Sequence, residues 1–420
     1  MRSVELFAGC GSLAFGLAEA GFEHALVVEK DPQASSTLAL NKDSGVRHFS
    51  KWNVASRDVR SIDYARIRGE IDLVSGGPPC QPFSIGGKHK GPSDTRNMWP
   101  EAIRAVRELQ PRAFVFENVR GLLRPAFANY LEYLRLQLTW PEIEDQGYGW
   151  RAHHRILRRH TASGAPPRYR VIIHGINAAD YGAPQKRHRA IVLGFRVDVA
   201  SEVAFPKPTH SRDALVWTQR VSTSYWDRHG LKGGARPAMS EADRWILEAL
   251  AARGVEPVEV PWMTVRDAIS DLPMPLTCTE QVANHLLHPG ARVYKRHTGS
   301  SWDEPAKALK AGDHGVPGGE NLIVDLHGAV RYFTIREMAR LQGLPDDFVI
   351  GAGWKGPIKQ LGNAVPVQVG QAFGRAIMSV LEHAPYNPTQ GVCSSSRSKS
   401  AALLALRDSS WPEATLRGVS

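Results

Sequence analysis

Cysteine is scarce in this chain: four residues in 420, at positions 10, 80, 278 and 393. They lie far apart and form no C-x-x-C pair, which excludes a disulfide framework and a Cys-rich zinc module. The group Cys278, His285, His288 and His297 matches none of the standard zinc spacings, so no metal site is expected. No apolar run reaches about 18 residues, so no membrane span is expected. Met1 leads straight into Ser3-Val4-Glu5-Leu6-Phe7, without the basic segment and long apolar core of a secretory signal. Internal repeats are absent as well. Acidic residues are the minority, 42 Asp and Glu against 52 Lys and Arg, for a net charge of +10. That excess favours a polyanionic partner, because clustered cations neutralise phosphates and release counterions. What is present is an ordinary globular balance, 42% hydrophobic and 22% charged, in a chain long enough for one large domain and a smaller one.

Over the first two hundred residues, short apolar runs alternate with amphipathic stretches. Strands are expected at 4–7, 25–29, 71–75, 113–117, 171–176 and 190–195. Helices are expected at 12–20, 32–41 and 97–109, with Pro32 suited to a first turn and Asn97 to an N-cap region. This alternation predicts an α/β, doubly wound fold with a mostly parallel sheet covered on both faces. Ligands of such a sheet sit beyond the carboxyl ends of its strands. From about Val197 the alternation fails. The stretch 197–330 is rich in Pro, Gly, His, Trp and Arg, with a few helical segments such as 240–252 and 264–271. It reads as a second, smaller, irregular domain. Helical patterning returns at 334–342 and 367–381. The expected organisation is therefore 1–196, then 197–330, then a return to the first domain over 331–384. The tail 385–420 is expected to be disordered, with 401–406 able to form a short helix.

Two sites carry chemistry. The first is Leu6-Phe7-Ala8-Gly9-Cys10-Gly11-Ser12, a strand end turning into a helix. Its glycines let the backbone turn tightly and approach a ligand. Gly9-x-Gly11-x-x-Ala14 satisfies a loose dinucleotide fingerprint, and Glu29, closing the next strand, can accept ribose hydroxyls. Asp58 can accept from an adenine amino group. These residues alone do not separate a nicotinamide cofactor from S-adenosylmethionine. The second site is Gly76-Gly77-Pro78-Pro79-Cys80-Gln81-Pro82-Phe83-Ser84, directly after the strand at 71–75. Two prolines stiffen the approach to Cys80, and two glycines remove side chains where a ligand presses in. A thiol of ordinary pKa, ~8.5, is only a few per cent thiolate at neutral pH, yet it is intrinsically very nucleophilic. A cysteine in a rigid Pro-Pro turn with polar neighbours suits that role better than core packing. The following segment, 84–96, is polar and Gly-rich, with Lys88, His89, Lys90 and Arg96, and suits a loop that closes on a ligand.

Around these residues the chain resembles the DNA cytosine-5 methyltransferase family, in its prokaryotic modification-enzyme type, whose signature includes Pro-Cys-Gln. Further motifs follow in the family's order: Glu117-Asn118-Val119, then Gln185-Lys186-Arg187-His188-Arg189, then Arg336-Glu337 with Arg340-Leu341-Gln342-Gly343-Leu344-Pro345. Gln360-Leu361-Gly362-Asn363-Ala364-Val365-Pro366 matches the last motif. The resemblance spans about 3–383, interrupted by the variable stretch. Ser12 departs from it, standing where the family commonly has the second glycine of a pair.

The resemblance implies a Rossmann-like methyltransferase domain and a target-recognition domain. It also implies S-adenosyl-L-methionine as donor, with S-adenosyl-L-homocysteine as product. The methyl group goes to carbon 5 of a cytosine flipped out of a specific sequence in double-stranded DNA, through a covalent bond between Cys80 and carbon 6. Glu117 then serves N3 and Arg189 serves O2, while Arg187 holds the backbone near Cys80. Phe7 is implied as the adenine wall, with Ala8, Gly9, Cys10 and Gly11 as backbone contacts and Glu29 at the ribose. Asp58 and Val59 fall to the adenine and Asn363, Ala364 and Val365 to the methionine end, and Lys30 and Pro79 complete the cofactor set. Gln81, Ser84, Lys88 and Arg96 are implied in DNA contact. Within 197–330, Arg212, Trp217, Gln219, Arg220, Arg228, Lys232, Arg292, Lys295 and Arg296 are candidates to read base edges or phosphates. The segment Trp302-Asp303-Glu304-Pro305 resembles the join between recognition region and core.

The expected setting is a monomer in the bacterial cytoplasm. A restriction endonuclease acting on the same site, without a stable complex, is the companion such an enzyme implies. Three alternatives stay open here. A nicotinamide oxidoreductase shares the glycine turn but has no use for Gly-Pro-Pro-Cys-Gln. A nonenzymatic DNA-binding module needs none of Cys80, Glu117 and Arg189 together. A transfer-RNA cytosine-5 methyltransferase is built on much the same motifs, and the large recognition region favours DNA over it.

Overall fold

Runs of Val, Leu, Ile and Phe that are buried on both sides build the central sheet, as a parallel sheet requires. The computed structural model describes residues 1–79, 97–233, 236–276, 282–292, 298–312, 321–325, 327–351 and 353–384. Cys80, Gln81, Ser84, Lys88 and Arg96 lie outside the described residues, as do Cys278, Lys295, Arg296, His297 and the tail from 385, including 401–406.

The strands are β1 (Arg2–Leu6), β2 (Glu23–Glu29), β3 (Val54–Ser56), β4 (Leu73–Gly76), β5 (Ala113–Val119), β6 (Tyr169–Asn177), β7 (Gln185–Lys186) and β8 (His188–Arg196). Seven of them form one sheet in the order β3-β2-β1-β4-β5-β8-β6. Pairing is parallel from β3 through β5, and β8 runs antiparallel to both β5 and β6. The mostly parallel, doubly wound sheet expected from the alternation is therefore present. Successive crossovers run from β1 to β2 on one side and to β4 on the other. This makes the carboxyl end of β1 a topological switch point, the place where such sheets bind ligands.

Helices α1 (Ser12–Glu19), α2 (Pro32–Asp43), α3 (Trp99–Leu109), α4 (Ala128–Thr139) and α5 (Trp150–Ala162) fall among the first strands. Pro32 opens α2, and the Asp31 carboxylate caps it by accepting from the amides of Gln33 and Ala34 at 3.0 and 3.2 Å. At α3 the cap position is Met98. Asn97 lies one residue earlier and accepts from the Trp99 amide at 3.3 Å.

The region 197–330 holds more helix than its composition suggests. To α8 (Glu241–Arg253) and the shortened α9 (Val265–Ile269) it adds α6 (Arg212–Arg220) and α7 (Ser224–Arg228). Capping explains the starts of α8 and α9: Ser240 with Asp243, and Thr264 with Asp267, form reciprocal capping boxes. Helices α10 (Ile335–Leu341), α11 (Lys355–Asn363) and α12 (Val367–His383) follow.

Helix α12 brings the last motif back to the first. It packs on α1 so closely that a Cβ at Gly16 would lie 2.4 Å from the Val367 carbonyl oxygen, and one at Gly370 3.0 Å from that of Leu13. Glycine is what allows this approach, and it sets Asn363, Ala364 and Val365, which immediately precede α12, close to the switch point.

Candidate active site

The turn leaving β1 carries an unusual backbone. Phe7 (φ 57°), Gly9 (φ 56°) and Gly11 (φ 87°) all lie in the left-handed region. For Phe7 this conformation costs on the order of 1–3 kcal/mol, a strain typical of ligand-binding turns. At Gly11 a side chain would strike Leu38 and Trp52 at 2.8 Å, whereas a Cβ at Gly9 would meet nothing within 4 Å. The turn is thus closed behind Gly11 and open in front of Gly9.

Glu29 at the end of β2 holds the turn in place. Its Oε2 accepts from the Gly9 amide at 2.7 Å, and its Oε1 accepts from the amides of Lys30 and Asp31 at 2.8 and 2.7 Å. A carboxylate offers about four acceptor sites, so acceptor capacity remains on Oε2. Lys30 spans to Asp58 at 3.3 Å. Asp58 also caps the short turn Val59–Ser61. The Arg60 amide, with help from the Lys30 ammonium, holds its carboxyl below the usual range. Arg104 of α3 supports this turn from behind, donating to the carbonyls of Val59 and Ile62 at 2.8 and 3.2 Å. Its guanidinium also lies 4.7 Å from the Tyr64 ring centre. Cys10 is buried, and burial pushes its thiol up to about 12.

The stem of the Cys80 segment is fixed against β5. A Cβ on Gly76 would fall 2.2 Å from the Leu6 carbonyl oxygen, so the end of β4 lies directly on the end of β1. A Cβ on Gly77 would stand 3.5 Å from Oε2 of Glu117. Asn118 donates from Nδ2 to the Pro78 carbonyl at 3.0 Å. The Met98 amide closes on the Pro79 carbonyl at 3.4 Å, joining the two ends of the segment that contains Cys80. Asn97, at its far end, donates to the Tyr130 hydroxyl at 2.7 Å.

Glu117 and Arg189 meet across the β5–β8 ladder. Glu117 stands opposite Ile191 and Arg189 opposite Val119, which makes the two side chains diagonal neighbours on one face. Nε of Arg189 lies 2.5 Å from Oε1 of Glu117. Both are largely buried, and each neutralises the other. Arg187 is 1% exposed and donates to the carbonyls of Leu309 and Gly362 at 3.0 and 2.8 Å. Burial, with the repulsion of Arg189, pulls its pKa well below the arginine norm. Its described contacts therefore fix the backbone just before Asn363, and none of them is to the stem of the Cys80 segment.

Phe7, Ala8, Gly9, Cys10, Gly11, Glu29, Lys30, Asp58, Val59 and Pro79 thus gather around the ends of β1, β2 and β4, and Glu117 and Arg189 around that of β5. Asn363 is exposed, while Ala364 and Val365 are buried. Two residues passed over in the sequence prove to be supports: Arg104 under Val59, and Asn118, whose motif was visible but whose bond to Pro78 was not. Arg336 and Arg340 act as struts. Arg336 donates to the carbonyls of Ala283, Pro345 and Phe348, and Arg340 pairs with Asp346 and Asp271.

Several candidate base readers are committed to internal bonds. Gln219 is buried and donates to the Asp303 carbonyl. Arg212 and Arg220 brace Asp243, and Arg228 pairs with Asp267. Lys232 and Arg292 remain exposed. The segment Trp302–Pro305 contacts both stretches: Asp303 holds Arg266 at 2.6 Å, and Glu304 holds Lys186 of β7 at 3.1 Å. His285 is bonded to Thr334 and to the Pro273 carbonyl, and no metal-binding cluster occurs among the described residues.

A nucleotide-type turn and the stem of the Cys80 segment meet at the switch point of a Rossmann-like sheet, an arrangement in keeping with the methyltransferase class. The model of the C-5 cytosine-specific DNA methylase family matches residues 1–379, and the chain belongs to that family; it is a DNA (cytosine-5-)-methyltransferase. It is 31% identical over 383 residues to the Type II methyltransferase M.PspPI of Psychrobacter sp. (strain TA137), covering 91% of this chain and 80% of that protein. To M.NgoMIV of Neisseria gonorrhoeae it is 31% identical over 384 residues, covering 90% and 98%. Among solved structures, the S. pombe Dnmt2 methyltransferase superposes with a TM-score of 0.51 at 17% identity, covering 92% of this chain and all of that one. An E. coli prophage protein described as a DNA modification methyltransferase gives 0.55 at 20% identity, covering 91% and 99%. These structural likenesses bear on the fold.

Proposed function

We propose that this enzyme takes a methyl group from S-adenosyl-L-methionine and places it on carbon 5 of a cytosine turned out of duplex DNA, through a transient bond from Cys80 to carbon 6. The observation that carries this reading is the bond from Asn118 to the Pro78 carbonyl, with Gly77 lying beside Glu117, which supports a nucleophile rooted next to that carboxylate and its partner Arg189.

The first turn fits the donor. Open space in front of Gly9 admits a ligand to the backbone, with Glu29 placed for the ribose, Asp58 and Val59 for the adenine and Phe7 for its face. Lys30 and Pro79 flank the site, and Asn363, Ala364 and Val365 border the methionine end. Once bound, S-adenosylmethionine supplies an electrophilic methyl group, leaving S-adenosylhomocysteine. Cytosine carbon 5 is too weak a nucleophile by itself. As the Cys80 sulfur bonds to carbon 6, electrons move toward N3 and O2 and carbon 5 becomes enamine-like. Glu117, taken up in its acid form, gives its proton to N3, and Arg189 donates a hydrogen bond to O2. Before the base arrives the two satisfy each other, so neither stands as an isolated buried charge. After carbon 5 has been methylated, solvent water takes its proton, the sulfur–carbon 6 bond breaks with return of the thiolate, and Glu117 takes back the proton from N3. Arg187 positions the Gly362 backbone and touches no reacting atom.

Residues 197–330 form the target-recognition region in this reading, and Gln81, Ser84, Lys88 and Arg96 contact DNA as the segment closes over the flipped base. In this reading the protein is a bacterial modification enzyme, a cytoplasmic monomer sharing its site with a separate endonuclease; the Type II methyltransferase names of its relatives support the modification role. Among the described residues no helix is long and apolar enough to cross a membrane.

Arg104→Ala removes two hydrogen bonds beneath the adenine turn. A loss of roughly 1–1.5 kcal/mol corresponds to about a tenfold weaker donor Kd. Calorimetric titration checks this; an unchanged Kd would remove Arg104 from the account of the cofactor site. The substrate is tested by supplying labelled donor with bacterial genomic DNA or with transfer RNA. Label is expected in DNA alone, as 5-methylcytosine, and label in transfer RNA alone would overturn the DNA reading.

A further inference from the structure

Helix α5 carries four arginines, three histidines and no acidic residue in 13 positions. Its buried side is His153, His154 and Leu157, while Arg151, Arg155, Arg158 and Arg159 are exposed. Arg158 lies 3.7 Å from Glu132, which also takes His154 at 3.2 Å. No carboxylate among the described residues pairs with Arg151, Arg155 or Arg159. Arg151, Arg155 and Arg159 follow one another at four-residue spacing, so like charges stand one above the next along one face and weaken the helix. Arg151 in the first turn also opposes the helix dipole. An anionic partner laid along this face reverses both effects.

The position of α5 indicates which partner. Trp150, its first residue, packs on Tyr130 and Tyr133 with ring centres 5.9 and 5.7 Å apart. The Tyr130 hydroxyl takes the hydrogen bond from Asn97, the first described residue after the Cys80 segment. The row of arginines therefore starts two side chains from the root of the catalytic segment. It belongs to the stretch between Glu117 and Gln185, outside the recognition region.

We propose that the Arg151–Arg155–Arg159 face of α5 is a second DNA-binding surface that grips backbone phosphates beside the target cytosine. This rests on the DNA reading above. Phosphate contacts are independent of sequence, so a random-sequence duplex suffices to test it. Each phosphate contact contributes about 0.9 to the slope of log affinity against log salt, so R155Q/R159Q should flatten that slope by about 2. R155K/R159K, which keeps the charges, should restore it, and matching melting temperatures would exclude a folding effect. In the wild type, bound duplex should protect Arg155 and Arg159 from phenylglyoxal, a readout that needs no variant. An unchanged slope, or arginines equally reactive with and without DNA, would overturn the proposal. Wild-type methylation of DNA measured alongside separates the outcomes. If it persists while the slope is unchanged, only the α5 surface fails; if it is absent, the DNA reading falls and takes this inference with it.

Discussion

Cys80→Ser should lower methyl transfer by at least about a thousandfold while leaving donor affinity close to wild type. The variant keeps the shape of the turn but replaces a thiol of pKa ~8.5 with a hydroxyl that is essentially never ionised at neutral pH. Without an attacking sulfur, carbon 5 never gains its enamine character, and the loss falls on kcat. Donor binding is spared because the turn from Phe7 to Gly11, Glu29 and the Val59–Ser61 turn are held by bonds of their own. Single-turnover transfer and donor titration on the same preparation give the two readouts. A variant retaining normal turnover would remove Cys80 from the mechanism.

Glu117→Gln should reduce kcat by about 10²–10⁴, the range for loss of a positioned acid or base. The neutral amide can still accept from Arg189, so the fold should hold. It can no longer take or return a proton at N3, and the negative charge that offsets Arg189 and the nearby Arg187 disappears. The binding constant for duplex DNA should change far less than kcat. Equal losses in both would make Glu117 a structural member of the ladder rather than a participant at the base.

The sequence made the strands legible because each buried run is short and bounded by polar turns. It missed β3, which has only three residues, Val54–Ser56, and so leaves no periodic pattern. It also missed α5, whose buried face is made largely of His153 and His154 instead of aliphatic residues. Motif residues were legible as chemical types in order; their supports were not. Arg104 and Asn118 act on carbonyls 45 and 40 positions away, at Val59 and Pro78, and only the folded sheet brings them there. Gln219 and Arg228 show a second kind of contact that sequence does not reveal. Their side chains suit base edges, yet the fold spends them on Asp303 and Asp267. The described contacts of Arg187, the carbonyls of Leu309 and Gly362, are apart from the cysteine stem.

The most direct trial uses a duplex in which 5-fluorocytosine replaces cytosine at the modified position. Fluorine at carbon 5 cannot leave as the proton does, so the sulfur cannot be expelled after methylation. With donor present, the account predicts a protein–DNA complex that survives denaturation and whose peptide map carries the methylated, fluorinated base on Cys80. Methylation of the unmodified duplex with no adduct at Cys80 on the fluorinated one would contradict it.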